Sequence, residues 1–192
     1  HAVEQAAASA DGLPGVRGTV LTHSLSSTVQ ALASRLHPRK TSFIVTESRP
    51  LNEGRTTAAA LAKFGFAVTL ITDAQAALAV RRADCVVVGA DAVLRDGTVF
   101  NKSGTCLIAE AACLHRVPVY VCTESFKIRP PDAPDTQLEH MPPGEVWEEP
   151  PDGVTVENVY FEPTAPAYID RWITEYGVAA TPAPLADWAA RA

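Results

Sequence analysis

Short apolar runs alternate with amphipathic stretches five times between residues 19 and 122, and this alternation constrains the fold more than any other feature of the chain. The runs are 19–21, 42–45, 67–71, 85–88 and 117–122. They are rich in β-branched residues and apolar at successive positions, the pattern of parallel strands covered on both faces. Between them, helical spacing is read over 27–36 (Val29, Leu32 and Leu36 on one face), 55–64, 74–82 and 102–115. Strand and helix in strict alternation predict an α/β fold with a Rossmann-like, doubly wound, mostly parallel sheet.

The remainder is organised differently. Residues 1–12 read as the remnant of an Ala-rich connecting helix, and 13–192 as a single domain. Residues 130–152 hold seven of the 15 prolines and seven acids with no Lys or Arg. That composition predicts a long surface excursion. Short strands are expected at 154–156 and 159–161. A helix is expected over 166–176, with Pro166 in its first turn and Gly177 as its stop.

A 192-residue chain of ordinary apolar content buries about 70% of its unfolded surface and needs no metal or disulfide to stand. Outside the acidic excursion the charges nearly cancel, and no basic stripe tracks a phosphate backbone, which argues against direct nucleic-acid binding. No apolar run reaches membrane-spanning length, and no signal-peptide pattern is present. The four cysteines (Cys85, Cys106, Cys113, Cys122) form no CxxC pair. They are expected to be buried thiols of a reducing, cytoplasmic compartment, with no zinc site and no cofactor. The chain begins at His1 rather than Met and is expected to be a fragment or processed form.

Ligands of doubly wound sheets bind beyond the carboxyl ends of the strands, and four of those ends are unusually polar. The first is Thr22-His23-Ser24-Leu25-Ser26-Ser27-Thr28-Val29. One hydroxyl suffices to cap the helix; Ser26 and Ser27 are expected also to meet an anion. The second carries Arg49 and Arg55 around a Pro/Gly loop, either phosphate-gripping forks or partners of Glu47 and Glu53. The third ends in Gly89-Ala90-Asp91, where partial burial of Asp91 would raise its pKa for proton transfer. The fourth is Asn101-Lys102-Ser103-Gly104-Thr105. A lysine opening a helix opposes the macrodipole unless an anion is present, so Lys102, Gly104 and Thr105 are expected to contact phosphate. Lys102→Ala is expected to weaken binding and leave folding intact. Together these ends point to a small phosphorylated ligand.

The segments THSLSSTV, TESRPLNEGR, VVVGADAVLRDGTVFNKSGT and VPVYVCTESFK, with FEPTAPAYIDRWITEYGV near the end, resemble one family. It contains the alpha, beta and delta subunits of translation initiation factor 2B, methylthioribose-1-phosphate isomerase and ribose-1,5-bisphosphate isomerase. The alpha subunit is the nearest in motif. The resemblance implies the carboxyl-terminal Rossmann-like domain of that family without its amino-terminal helical region, usually dimeric, with a homodimer or related-subunit partner. It also implies a sugar-phosphate pocket. Family isomerases move a proton with a cysteine and an aspartate; the aspartate falls on Asp91, and Ser24 stands where the cysteine would be. The family's substrate-contacting Asn-Lys pair falls on Asn101 and Lys102, and a further arginine on Arg49. A serine hydroxyl is far too weak an acid to replace the thiol unaided. Cys106 is a remote candidate for a displaced thiol. His23 is not paired with Ser24, because neighbours on an extended segment point apart. The expected function is therefore that of an initiation-factor-2B-like protein binding a phosphorylated sugar or nucleotide. The alternatives are an aldose–ketose isomerase of a ribose-1-phosphate derivative, and a regulatory subunit that acts by protein contact.

Overall fold

The computed structural model describes residues 1–130 and 138–191. Its backbone is a seven-stranded sheet in the order β10-β9-β7-β4-β1-β2-β3. The strands are β1 (Thr19–His23), β2 (Ser42–Thr46), β3 (Ala67–Ile71), β4 (Cys85–Val88), β7 (Val119–Cys122), β9 (Arg171–Thr174) and β10 (Gly177–Ala179). All pairings are parallel except that of β10 with β9. The chain builds outward from β1 to β2 and β3, then returns to lay β4 on the other side of β1. The reversal makes the crevice between β1 and β4 the topological switch point, the place where open α/β sheets take ligands.

Successive strand residues enter different cores, as the two-residue period demands. Val20, Phe43, Val45, Cys85 and Val87 face one side. There they meet helices α1 (Ala2–Ala10), α2 (Ser27–Arg35) and α3 (Glu53–Lys63) through Ala6, Val29, Leu32 and Leu61. Leu21, Ile44, Val86 and Val88 face the other, against α4 (Ala76–Val80), α5 (Thr105–His115) and α6 (Leu185–Ala189). Each fully buried Leu, Ile or Phe contributes about 1.5–3 kcal/mol. The sheet is thus doubly wound, as the alternation predicts. The Ala-rich helix α1 packs on the sheet, with Ala6, Ala7 and Ala10 buried in the first core.

Several elements differ from the sequence reading. Residues 166–176 are not one helix. A single 3-10 turn, Pro166–Tyr168, leads into β9, because pairing with β7 buries Trp172 and Ile173 on opposite faces. No strand forms at 154–156; Val159 makes only an isolated bridge with His140. The strand proper is β8 (Phe161–Thr164), in a small antiparallel sheet with β5 (Ala92–Val93) and β6 (Val99–Lys102). Lys102 therefore ends a strand, paired in register with Phe161, and does not open a helix. Gly104, at φ 107°, breaks the chain before α5 begins at Thr105. The excursion is described from residue 138 and is largely exposed to residue 152; its residues 131–137 lie outside the described set. Among the described residues, no helix is long and apolar enough to cross a membrane.

Candidate functional site

A small cleft opens at the switch point. It is lined by Leu25, Ser26 and Ser27 after β1, Gly89, Ala90 and Asp91 after β4, Asn101 from β6, and Lys127 after β7. Four of the sequence-predicted residues thus meet: Ser26, Ser27, Asp91 and Asn101. The close approach of the two loops depends on Gly89, where a Cβ would lie 2.5 Å from the Ser26 hydroxyl.

The hydroxyls of this segment have fixed roles. Ser26 is the N-cap of α2 and accepts from the Val29 amide at 3.3 Å. Thr28 donates to the Cys122 carbonyl at 2.7 Å, so in the 2.9 Å contact between Ser26 and Thr28 the proton comes from Ser26. Ser26 therefore has no proton left to give a ligand, only a lone pair. Ser27 is exposed at the rim.

Asp91 is exposed at the cleft mouth rather than shielded. Crowding by surrounding protein still pushes its carboxyl upward, opposed by the positive charges of Lys127 and Lys102. The upward direction is the one expected of a carboxyl partly removed from water. Asn101 is buried and donates one amide hydrogen to the Thr105 hydroxyl at 3.0 Å; that hydroxyl in turn donates to the Lys102 carbonyl.

The other nominated residues lie outside this lining. The Lys102 ammonium is buried, 2.8 Å from a Glu53 carboxylate oxygen and 4.0 Å above the Tyr160 ring. The anion that balances it is internal. Lys102→Ala would leave Glu53 without its cation, so the expectation of an undisturbed fold is withdrawn. Likewise the start of α5 is already occupied: one Glu162 oxygen accepts from the Gly104 amide at 2.8 Å and the Cys106 amide at 2.9 Å. Thr105 is buried. Arg55 pairs at the surface with Glu47 at 3.1 Å. Exposed Arg49 donates to the Val146 carbonyl of the excursion at 3.3 Å. Its loop is held by Asp73, which accepts from the Ser48 and Arg49 amides.

Ser24 is buried behind the cleft in a left-handed conformation, φ 61°, which costs a non-glycine residue stability. The Thr57 hydroxyl holds its carbonyl at 2.7 Å. His23 does not serve it as a base. The His23 Nε2 lies 2.9 Å from the Ser103 carbonyl. A carbonyl only accepts, so Nε2 carries the proton and Nδ1 accepts from the Thr46 and Ser48 hydroxyls. Burial lowers its pKa, against the raising effect of the Ser103 contact and of Asp73 and Glu162. His23 is a neutral brace between the ends of β1 and β2 and the turn into α5; a Cβ at 104 would lie 3.0 Å from its ring, and the φ of 107° there favours glycine.

None of the four cysteines lines the cleft. Burial pushes Cys85 and Cys122 up to about 12. Cys106 is raised by burial and by the carboxylates of Glu110 and Glu162. Cys113 is exposed rather than buried as expected. Sequence reasoning missed Lys127 in the cleft wall, although the TESFK segment that carries it follows an apolar strand as the other sites do.

The chain matches the model of the initiation factor 2 subunit family over residues 9–181. It is 36% identical over 168 residues to a ribose 1,5-bisphosphate isomerase of Archaeoglobus fulgidus, covering 83% of this chain and 53% of that protein. It is 41% identical over 150 residues to a methylthioribose-1-phosphate isomerase of Gemmatimonas aurantiaca, covering 76% and 43%. The crystal structure of a Pyrococcus horikoshii translation initiation factor eIF-2B superposes with a TM-score of 0.82 at 35% identity, covering 93% of this chain and 64% of that one. The chain spans about half the length of the curated relatives it matches. The family match covers the doubly wound sheet and the loops that line its cleft, and the chain belongs to the initiation factor 2 subunit family.

Proposed function

We propose that the chain binds a phosphorylated sugar or nucleotide in the cleft between β1 and β4 and lacks the cysteine-dependent isomerase chemistry. The convergence of Ser26, Ser27, Asp91, Asn101 and Lys127 at the switch point carries this reading. It places a cation, hydroxyls, an amide and a carboxyl within one small space, which suits a ligand with both a phosphoryl group and sugar hydroxyls. Against catalysis stand the left-handed, buried Ser24, the committed His23 and the raised thiols. Pairing with a second copy or a related subunit belongs to the same reading, supported by the open edge of β3, where Leu70 is exposed.

A second reading is kept because Asp91 faces the cleft and relatives carry isomerase names. In it Asp91 acts as the acid that assists ring opening or as the base at carbon 2 of a ribose-1-phosphate derivative. Phosphorus NMR with ribose-1,5-bisphosphate and methylthioribose-1-phosphate separates the two. Shifted or broadened resonances without conversion support binding alone. New ketose-phosphate resonances that vanish in Asp91→Asn support the isomerase. Unperturbed spectra across both compounds and a panel of nucleotides would remove the ligand-binding reading.

A further inference from the structure

We infer that the chain carries a second ligand site, at the opposite edge of the sheet, for a small phosphorylated compound that also bears a hydroxyl or an amine. A depression of about 360 Å³ lies at the amino ends of β1, β2 and β3; Arg39, Lys40, Thr41, Ser42, Thr19 and Asp84 are among its lining. It shares no residue with the switch-point cleft. The length of β1, at about 3.3 Å per residue, sets the two about 16 Å apart. The inference therefore stands independently of the binding reading above.

Arg39 and Lys40 are exposed, and among the described residues neither forms an ion pair. Their loop is shaped without a ligand: His37 Nδ1 accepts from the Arg39 amide at 3.1 Å, and the His37 carbonyl accepts from the Lys40 amide at 2.8 Å. The next residue, Thr41, is 4% exposed, and its hydroxyl has no partner among the described residues. A hydroxyl withdrawn from water without a partner costs stability, and a ligand oxygen is the acceptor this one lacks. The Thr19 and Ser42 hydroxyls lie 3.2 Å apart; their contact uses one proton and leaves the other to donate.

Asp84 fixes the class of ligand. β1 lies between β2 and β4, so the two cations stand on one side of its start and Asp84 on the other. One Asp84 oxygen accepts from the Thr19 amide at 2.7 Å, an approach that needs glycine at 18, where a Cβ would collide with that oxygen. The other oxygen remains an acceptor. A bare anion meets Asp84 as a like charge. A phosphorylated compound with a hydroxyl or amine turns that donor to Asp84 and its phosphoryl group to Arg39 and Lys40. The exposed Arg81 and Arg82, just before Asp84, add positive potential at this edge.

The test is amide chemical-shift titration of the isotope-labelled chain with O-phosphoethanolamine and with inorganic phosphate. Saturable shifts are expected at Arg39, Lys40, Thr41 and Ser42 with both probes, and at Asp84 with phosphoethanolamine, which binds the more tightly. Replacing Arg39→Gln and Lys40→Gln together removes only exposed side chains, so the fold is retained, and affinity should fall on the order of 10- to 100-fold. Thr41→Val should raise the melting temperature of the free chain, by removing an unpartnered hydroxyl, and weaken phosphoethanolamine binding. Shifts confined to Ser26, Ser27, Asp91 and Asn101 overturn the second site and leave the cleft reading standing. Absence of saturable shifts at residues 39–42, or a double variant that binds within twofold of the native chain, overturns it equally. Inorganic phosphate binding as tightly as phosphoethanolamine overturns the ligand class assigned from Asp84.

Discussion

The cleft between β1 and β4 and the cluster around Lys102 lie at the same edge of the sheet and use the same kinds of residue, yet they are in opposite states. In the Lys102 cluster nearly every strong group has an internal partner: the ammonium has Glu53 and the Tyr160 ring, the α5 amides have Glu162, and the Tyr160 hydroxyl donates to Glu145. In the cleft Asp91 and Ser27 stand open to solvent, and Lys127 and Asn101 keep unused donors or acceptors. The difference teaches that charge and hydroxyl content do not locate a binding site. What locates it is the capacity left over once the fold has satisfied itself.

The comparison can be broken first at Lys102. Replacing it by Met should destabilise the chain by about 3 kcal/mol, because Glu53 is left as an uncompensated, largely buried charge. Urea unfolding measures this, and a loss below 1 kcal/mol would make the cluster dispensable. Next is Glu162→Ala, which strips the Gly104 and Cys106 amides of their shared acceptor. A cost of about 2 kcal/mol is expected by the same measurement, with the deficit concentrated in faster amide exchange at the start of α5. A smaller effect, about 1 kcal/mol, is expected for Ser26→Ala, which removes the α2 cap on the cleft side. Unchanged unfolding there would mean that Thr28 alone suffices.

The smallest effect is the pH dependence set by His23. Burial holds its folded pKa below the ordinary value of 6.5. Unfolded histidine takes up a proton as pH falls through that value, while the folded ring stays neutral. The stability it contributes is therefore complete above pH 6.5 and declines as pH drops toward the lowered folded pKa. Urea midpoints measured between pH 7.5 and 5 should fall, and the slope should flatten in His23→Gln. An equal slope in both proteins would assign the decline to other groups.

Much of the sheet is legible in the sequence because its strands carry their own signal. Runs such as Cys85–Val88 are apolar on both faces and fit only a covered strand. β9 is not legible in the same way. Ile169, Trp172, Ile173 and Tyr176 also satisfy helical spacing after Pro166, and only the partner β7 decides between the two. The β5–β6–β8 sheet is hidden by the two-residue length of β5, although the Asp96-Gly97 turn at its hairpin is readable. Within the site, Ser26, Ser27 and Asp91 could be nominated because they follow apolar runs, and Asn101 because the family's Asn-Lys pair falls there. The assignment of Lys102 to phosphate failed to foresee Glu53, 49 residues away, and Glu162, whose oxygen reaches the α5 amides from another sheet. Long-range neutralisation of this kind leaves no local trace. Lys127 was readable as a polar strand end, but nothing in the sequence ranks it above Lys102.

The central claim, that the open cleft rather than the Lys102 cluster is the ligand site, is tested most directly by amide chemical-shift mapping of the isotope-labelled chain with ribose-1,5-bisphosphate. The account predicts the largest shifts at Ser26, Ser27, Ala90, Asp91, Asn101 and Lys127. Shifts centred instead on Glu53, Lys102 and Tyr160 with the cleft amides unmoved would contradict it.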